Sequence, residues 1–196
     1  MQPIREVTST MGWTITILGF VAVLVVLAAM GAMLYNRLIT LRNRCENAWA
    51  QIDVQLRRRY DLIPNLVATV KGYAAHESST LEAVTAARTA AMAATGVEGR
   101  TVAENQLTGA LKSLFAVAEA YPDLKANASF LDLQTQLTDT EGKIAYARQF
   151  FNDSVMSFNM AIQQFPANLF ASAFGFTERA YFEIEASAKE PVTVSF

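Results

Sequence analysis

From Met11 to Tyr35 the chain reads MGWTITILGFVAVLVVLAAMGAMLY and carries no charged residue. A helix of about 25 residues, at ~1.5 Å each, spans the ~30 Å hydrocarbon core of a bilayer. Trp13 and Tyr35 stand at the two ends, where interfacial aromatics collect. A secretory signal has a shorter apolar region, ~7–15 residues, behind net positive charge. Here Arg5 is offset by Glu6 and the run is longer, so the expectation is an uncleaved membrane anchor.

Basic flanks set the expected orientation. Arg5 precedes the run, whereas Arg37, Arg42 and Arg44 follow it closely. The positive-inside rule leaves a short N-terminus outside and the remainder in the cytoplasm of a bacterial inner membrane, crossed once. The expected divisions are a tail at 1–11, a transmembrane helix at 12–35, a helical bundle at 36–176 and a C-terminal tail at 177–196.

Chemistry has little to work with. The single histidine, His76, cannot assemble a zinc-ligand set, and no HExxH, phosphate loop or GxSxG elbow is present. Asp132, Asp139, Glu141 and Asp153 lack the Glu-x-x-His partners that helical di-metal sites use. The single cysteine, Cys45, can form no disulfide within the chain and reads as a small buried residue. With 16 basic against 18 acidic residues and a net charge of −2, a nucleic-acid partner is not expected. No cofactor, metal or enzymatic activity is expected.

Beyond the anchor the chain reads as helix. Leu41, Cys45, Ala48, Ile52, Leu56, Tyr60, Ile63, Val67 and Val70 recur at steps of three and four, the seam of an amphipathic helix. No breaker separates this seam from the anchor, so the two are expected to form one helix. Capping boxes at Ser79–Glu82, Thr101–Glu104 and Ser129–Asp132 suggest helices over about 80–94, 102–120 and 130–165. The first soluble helix, the second and third taken together, and the fourth are each near forty residues, ~55–60 Å. This predicts an all-α fold, an anchor continuous with an elongated antiparallel bundle of three arms; a compact four-helix bundle is the alternative. Gly142 inside the last helix is read as a mark of close helix contact.

Arg57, Arg58 and Arg59 interrupt the seam, yet successive helical residues turn by ~100°, so they fan around the helix instead of forming one basic stripe. A constant offset between the first and last arms sets Arg57–Arg59 beside Asp153, and Asp53 beside Arg148, as register-fixing ion pairs. Pro64 cannot donate to the carbonyl of Tyr60 and is expected to kink the arm. The alternative is that Asp61 caps a new helix. Leu169, Phe170, Phe174 and Phe176 in the apolar tail are candidate assembly contacts, or fold back on their own bundle.

The stretch YNRLITLRNRCENAWAQIDVQLRRRYDLIPNLVATVKGYAAHE (35–77), then YPDLKAN (121–127) and LQTQLTDTEGKIAYARQFFNDSVMSFNMAIQQFPANLFASAFGF (133–176), resembles the LemA family. The resemblance covers nearly all of the chain after the anchor. Departures are Cys45 for an aliphatic residue, Gly142 for Asn, and Phe151 and Phe158 for Tyr. The resemblance implies a membrane-anchored antiparallel helical protein without an established enzymatic activity, some relatives being tied to bacterial membrane organisation, including magnetosomes. It supplies no catalytic residues. The expected role is a scaffold whose partners are membrane lipid and further copies of itself. The alternative is an adaptor for another membrane or envelope-stress protein.

Overall fold

A computed structural model describes residues 3–182, with the side chains of 13–182 apart from Ile15. It contains α1 (Pro3–Lys71), α2 (Ser78–Ala93), α3 (Gly96–Ala118), α4 (Pro122–Lys125), α5 (Ala128–Gln163) and α6 (Ala167–Ala173), and no strand among the described residues. The apolar run and the first amphipathic seam are one 69-residue helix, α1, as the missing breaker predicts. Within α1 the segment from Thr16 is long and apolar enough to cross a membrane, and its most apolar stretch is not buried by protein.

The described residues divide into two compact units, Arg44–Met156 with 179–182, and 3–43 with Ser157–Glu178. The divisions fall inside α1 and α5, and Arg179–Phe182 belongs with the bundle. The first of these units has the larger core. Cys45, Ala48, Ile52, Leu56, Ile63 and Val70 of α1 are buried, and so are Leu107, Leu111 and Leu114 of α3. On α5, Leu137, Ile144, Phe151 and Val155 are buried as well. These are the positions that helical periodicity selects, because residues three and four apart share one face.

Helix directions in this unit follow from paired contacts. Asp53 pairs with Arg100, and Arg59 donates to Thr108, so α3 runs with α1. Trp49 packs on Phe151 with ring centroids 5.2 Å apart, and Arg59 lies 3.2 Å from Glu141, so α5 runs against α1. Arg88 reaches Tyr60 from α2, and α2 packs along α3. The unit is an up-down-up-down four-helix bundle. This is the alternative named above; the three-arm reading is corrected, because α2 and α3 fold back on each other and do not form one broken arm. Gly96, at φ +72°, makes that reversal. A side chain there would crowd the following carbonyl, which is why glycine suits it.

None of the three expected capping boxes forms: Ser79 lies inside α2, whose N-cap position, Glu77, makes no side-chain cap hydrogen bond. Thr101 lies inside α3 and donates to the Val97 carbonyl at 2.8 Å. At the start of α5 it is Asn127 Oδ1 that accepts from the Phe130 amide at 3.0 Å, in place of Ser129. Gly142 marks no close contact, since a Cβ there would meet nothing within 4 Å.

Candidate functional site

Arg59 is the arginine of the Arg57–Arg59 run that turns inward, only 2% exposed, while Arg57 and Arg58 face outward. One guanidinium nitrogen lies 3.2 Å from Glu104 of α3 and 3.2 Å from Glu141 of α5. Another donates to Thr108 Oγ1 at 2.7 Å. Glu104 is wholly buried and also accepts a hydrogen bond from the Tyr60 hydroxyl. α1, α2, α3 and α5 all contribute to this cluster, because Arg88 of α2 ties in through the Tyr60 carbonyl.

That last contact follows from the covalent structure of proline. α1 runs through Pro64, so Asp61 does not cap a fresh helix. Pro64 has no N–H to give the carbonyl of Tyr60, four residues earlier. Arg88 Nε donates to that carbonyl instead, at 2.7 Å. A backbone acceptor left unpaired in the core would cost about 1–3 kcal/mol. A defect in one helix thus becomes a bond between two.

Burial dominates the electrostatics of the cluster. Burial holds the Glu104 carboxyl above its ordinary value, against the opposing pull of the Tyr60 hydrogen bond and the Arg59 charge. Burial, then the hydrogen bond to Glu104, drives the Tyr60 phenol upward, so it stays protonated. Arg148 is pushed down by burial and held up by Glu141 and Glu104. Its guanidinium stands 4.5 Å over the Phe182 ring, and its Nε and one terminal nitrogen find no hydrogen-bond partner among the described residues.

The pairings expected from register are therefore corrected. Asp53 pairs with Arg100, not Arg148. Arg59 meets Glu141, roughly three turns from Asp153 along α5. The cause is direction: with α5 antiparallel to α1, residue numbers on the two helices change in opposite senses and a constant offset fails. Glu104, Thr108 and Arg88 were not anticipated. Glu104 carries a signal, since it shares the face of Leu107 and Leu111, but within its own segment it has the spacing of a capping acid. His76 is exposed in the turn after α1, and no group of three metal-ligating side chains occurs among the described residues.

A second lock pins the segment after α6 to the bundle. Asn152 Nδ2 donates to the Phe182 carbonyl at 3.0 Å, and its Oδ1 accepts from the Phe182 amide at 2.8 Å. The Phe182 ring is fully buried, 6.0 Å from Trp49. Arg179 also bonds Glu46 at 2.9 Å.

In the other unit the tail residues fold back on their own chain. The Phe170 ring sits where a Cβ on Gly31 would come within 3.1 Å of it. Phe174 and Phe176 set their rings edge-on to Tyr35, at 5.1 and 5.9 Å. Leu169 is left exposed. Phe165 is also exposed.

Comparison with known proteins adds family context. The LemA family model matches residues 48–196. Magnetosome protein MamQ of Magnetospirillum gryphiswaldense is 26% identical over 186 residues, covering 82% of this chain and 68% of the relative. Magnetosome protein MamQ 2 of Paramagnetospirillum magneticum is 25% identical, covering 88% and 74%. Protein LemA of Metamycoplasma hominis is 29% identical over 164 residues, covering 81% and 72%.

Proposed function

The chain belongs to the LemA family, and from that premise we propose that it is a non-enzymatic, membrane-anchored helical scaffold that self-associates and organises or shapes a bacterial inner membrane. The observation that carries this reading is where the ionisable side chains go. In the charged cluster the innermost groups, Glu104 fully buried and Arg59 nearly so, are satisfied helix to helix, and Glu141 forms its open end. Such a cluster offers register and orientation. Apolar side chains are treated in the opposite way, for Leu18, Phe20 and Val26 stand exposed on the anchor. Lipid and neighbouring copies are the partners that match such a surface. Because Phe170 and Phe176 are engaged within their own chain, the anchor is the surface we assign to assembly. Orientation follows the basic flank, with the N-terminus outside and the bundle in the cytoplasm.

The test is the mass of the full-length protein in nanodiscs and in mild detergent. A defined oligomer is expected, and a monomer at high concentration overturns self-association. Crosslinking in cells then decides between scaffold and adaptor. Ladders of self-adducts support the former, and a single foreign adduct supports the latter.

A further inference from the structure

The end of α5, α6 and the residues after it form a charge-free return. From Ser154 to Thr177 the chain has no Asp, Glu, Lys or Arg. Charge-free stretches of this kind are unusual on a surface bathed in water, and this one leaves large side chains uncovered. Phe165 is 80% exposed, Leu169 62% and Phe174 58%. On α6, Ala167 and Ala171, one turn apart, are buried, whereas Leu169 points away.

The position of α6 along α1 is given by Phe170. Its ring occupies the space beside Gly31, which lies one turn inside the apolar run that ends at Tyr35. One turn is ~5.4 Å of helix axis. Interfacial helices bury their apolar face to about that depth, ~5–10 Å into the boundary between headgroups and acyl chains. The next residues climb out in order: Phe174 and Phe176 meet Tyr35 at the aromatic belt, and the Arg42 guanidinium lies 5.8 Å over Phe176. The return closes with a polar rung in which Gln163 Nε2 donates to Glu178 at 2.6 Å.

We infer that α6 with its flanking Phe165 and Phe174 is a second membrane-inserted element, a foot buried in the lipid of the leaflet from which α1 emerges. The occupant of this apolar surface is lipid, because the surface is continuous with the exposed face of the anchor and lies level with its end. A single transmembrane helix can rotate about its axis and tilt. A foot beside it adds a second point of attachment, which restrains both motions. The inference rests on the membrane anchorage in the proposed function and is independent of self-association.

The experiment uses the full chain with Cys45 replaced by Ala and one new cysteine carrying an environment-sensitive fluorophore. Leu169→Cys and Phe165→Cys report on the foot, Phe20→Cys on the anchor and Met92→Cys on the exposed bundle surface. The protein is placed in nanodiscs of phosphatidylethanolamine and phosphatidylglycerol, where water reaches both faces. Probes at 169 and 165 are expected to be quenched by nitroxide high on the lipid chains and to lose quenching by aqueous iodide, with 92 behaving in the opposite way. Iodide quenching at 169 and 165 equal to that at 92 overturns the inference. Protection from both quenchers also overturns it, because the occupant is then a second copy or another protein. Absence of lipid quenching at 20 overturns the anchorage itself, which separates the two failures.

Discussion

The two units of this chain invert each other. In the bundle unit, charges lie inside: Arg59 and Glu104 are buried and the core seals them. In the anchor unit, apolar side chains lie outside, and Leu18, Phe20 and Leu169 face whatever surrounds them. Both depart from the ordinary arrangement of apolar inside and charged outside, for opposite reasons. Water does not solvate the outside of an anchor, so exposed leucine costs nothing there. The interior of the bundle admits Arg59 and Glu104 because each is met by a partner from another helix, and the benefit is register. A buried ion pair is thus informative about helix order, and an exposed leucine about solvent.

The sharpest way to break this contrast is to remove one partner from the buried set. Glu104→Ala strands Arg59 and should cost about 3–5 kcal/mol in chemical unfolding of the full chain. Arg59→Met combined with Glu104→Leu removes both members and should recover most of that loss. Glu141→Ala, at the 44%-exposed end of the cluster, should cost less than Glu104→Ala. A double variant no better than Glu104→Ala alone would show that the cluster carries more than mutual satisfaction.

A second comparison exchanges like for like across the units. Leu107→Ala, in the bundle core, should cost about 2–5 kcal/mol. Leu169→Ala should change unfolding by no more than ~0.5 kcal/mol. Equal losses would show that Leu169 is packed against protein.

Next in size is the bond across the proline. Arg88→Met should cost about 1–3 kcal/mol by leaving the Tyr60 carbonyl unpaired. Pro64→Ala in the same chain should restore much of it, since alanine returns the missing N–H to α1. Failure of Pro64→Ala to rescue would detach Arg88 from this role.

Two glycines should respond with opposite signs. Gly96→Ala forces a positive φ on a side chain and should cost ~1–2 kcal/mol. Gly142→Ala enters open space within α5 and should stabilise by up to ~1 kcal/mol. Thermal unfolding of both variants checks the pair.

The smallest expected effect is on pH dependence. Glu104 has its carboxyl raised above 4.5 in the folded chain, first by burial. Between the unfolded and folded values the native state binds more protons, so its contribution to stability is full below the unfolded value and is lost as pH rises through the folded one. Subtracting the Glu104→Gln profile from that of the parent should leave a difference that falls with rising pH. A difference that rises would mean the Arg59 charge outweighs burial.

Much of the bundle was legible in the sequence. The seam from Cys45 to Val70 is buried nearly residue for residue, because side-chain periodicity is a local property of the helix. The fan of the three arginines followed from the same geometry, whereas the burial of Arg59 was decided by packing. The candidate site was less legible. Glu104 looks like a capping acid within its own segment, and only the packing of α1 beside it turns it into the partner of Arg59. Arg88 carries no local mark at all, although the vacancy it fills at Tyr60 follows directly from Pro64.

By itself the sequence determined which residues form the apolar anchor, where the helices run and which of their faces are buried. Local hydrogen bonding and hydropathy suffice for these. Tertiary structure decided the direction of each helix, through the reversal at Gly96, and with it the partners of every buried charge. It also decided that α6 is seated beside Gly31. Period specifies a face but carries no sign, so a single turn between α2 and α3 changed α5 from parallel to antiparallel and moved the mate of Arg59 from Asp153 to Glu104 and Glu141.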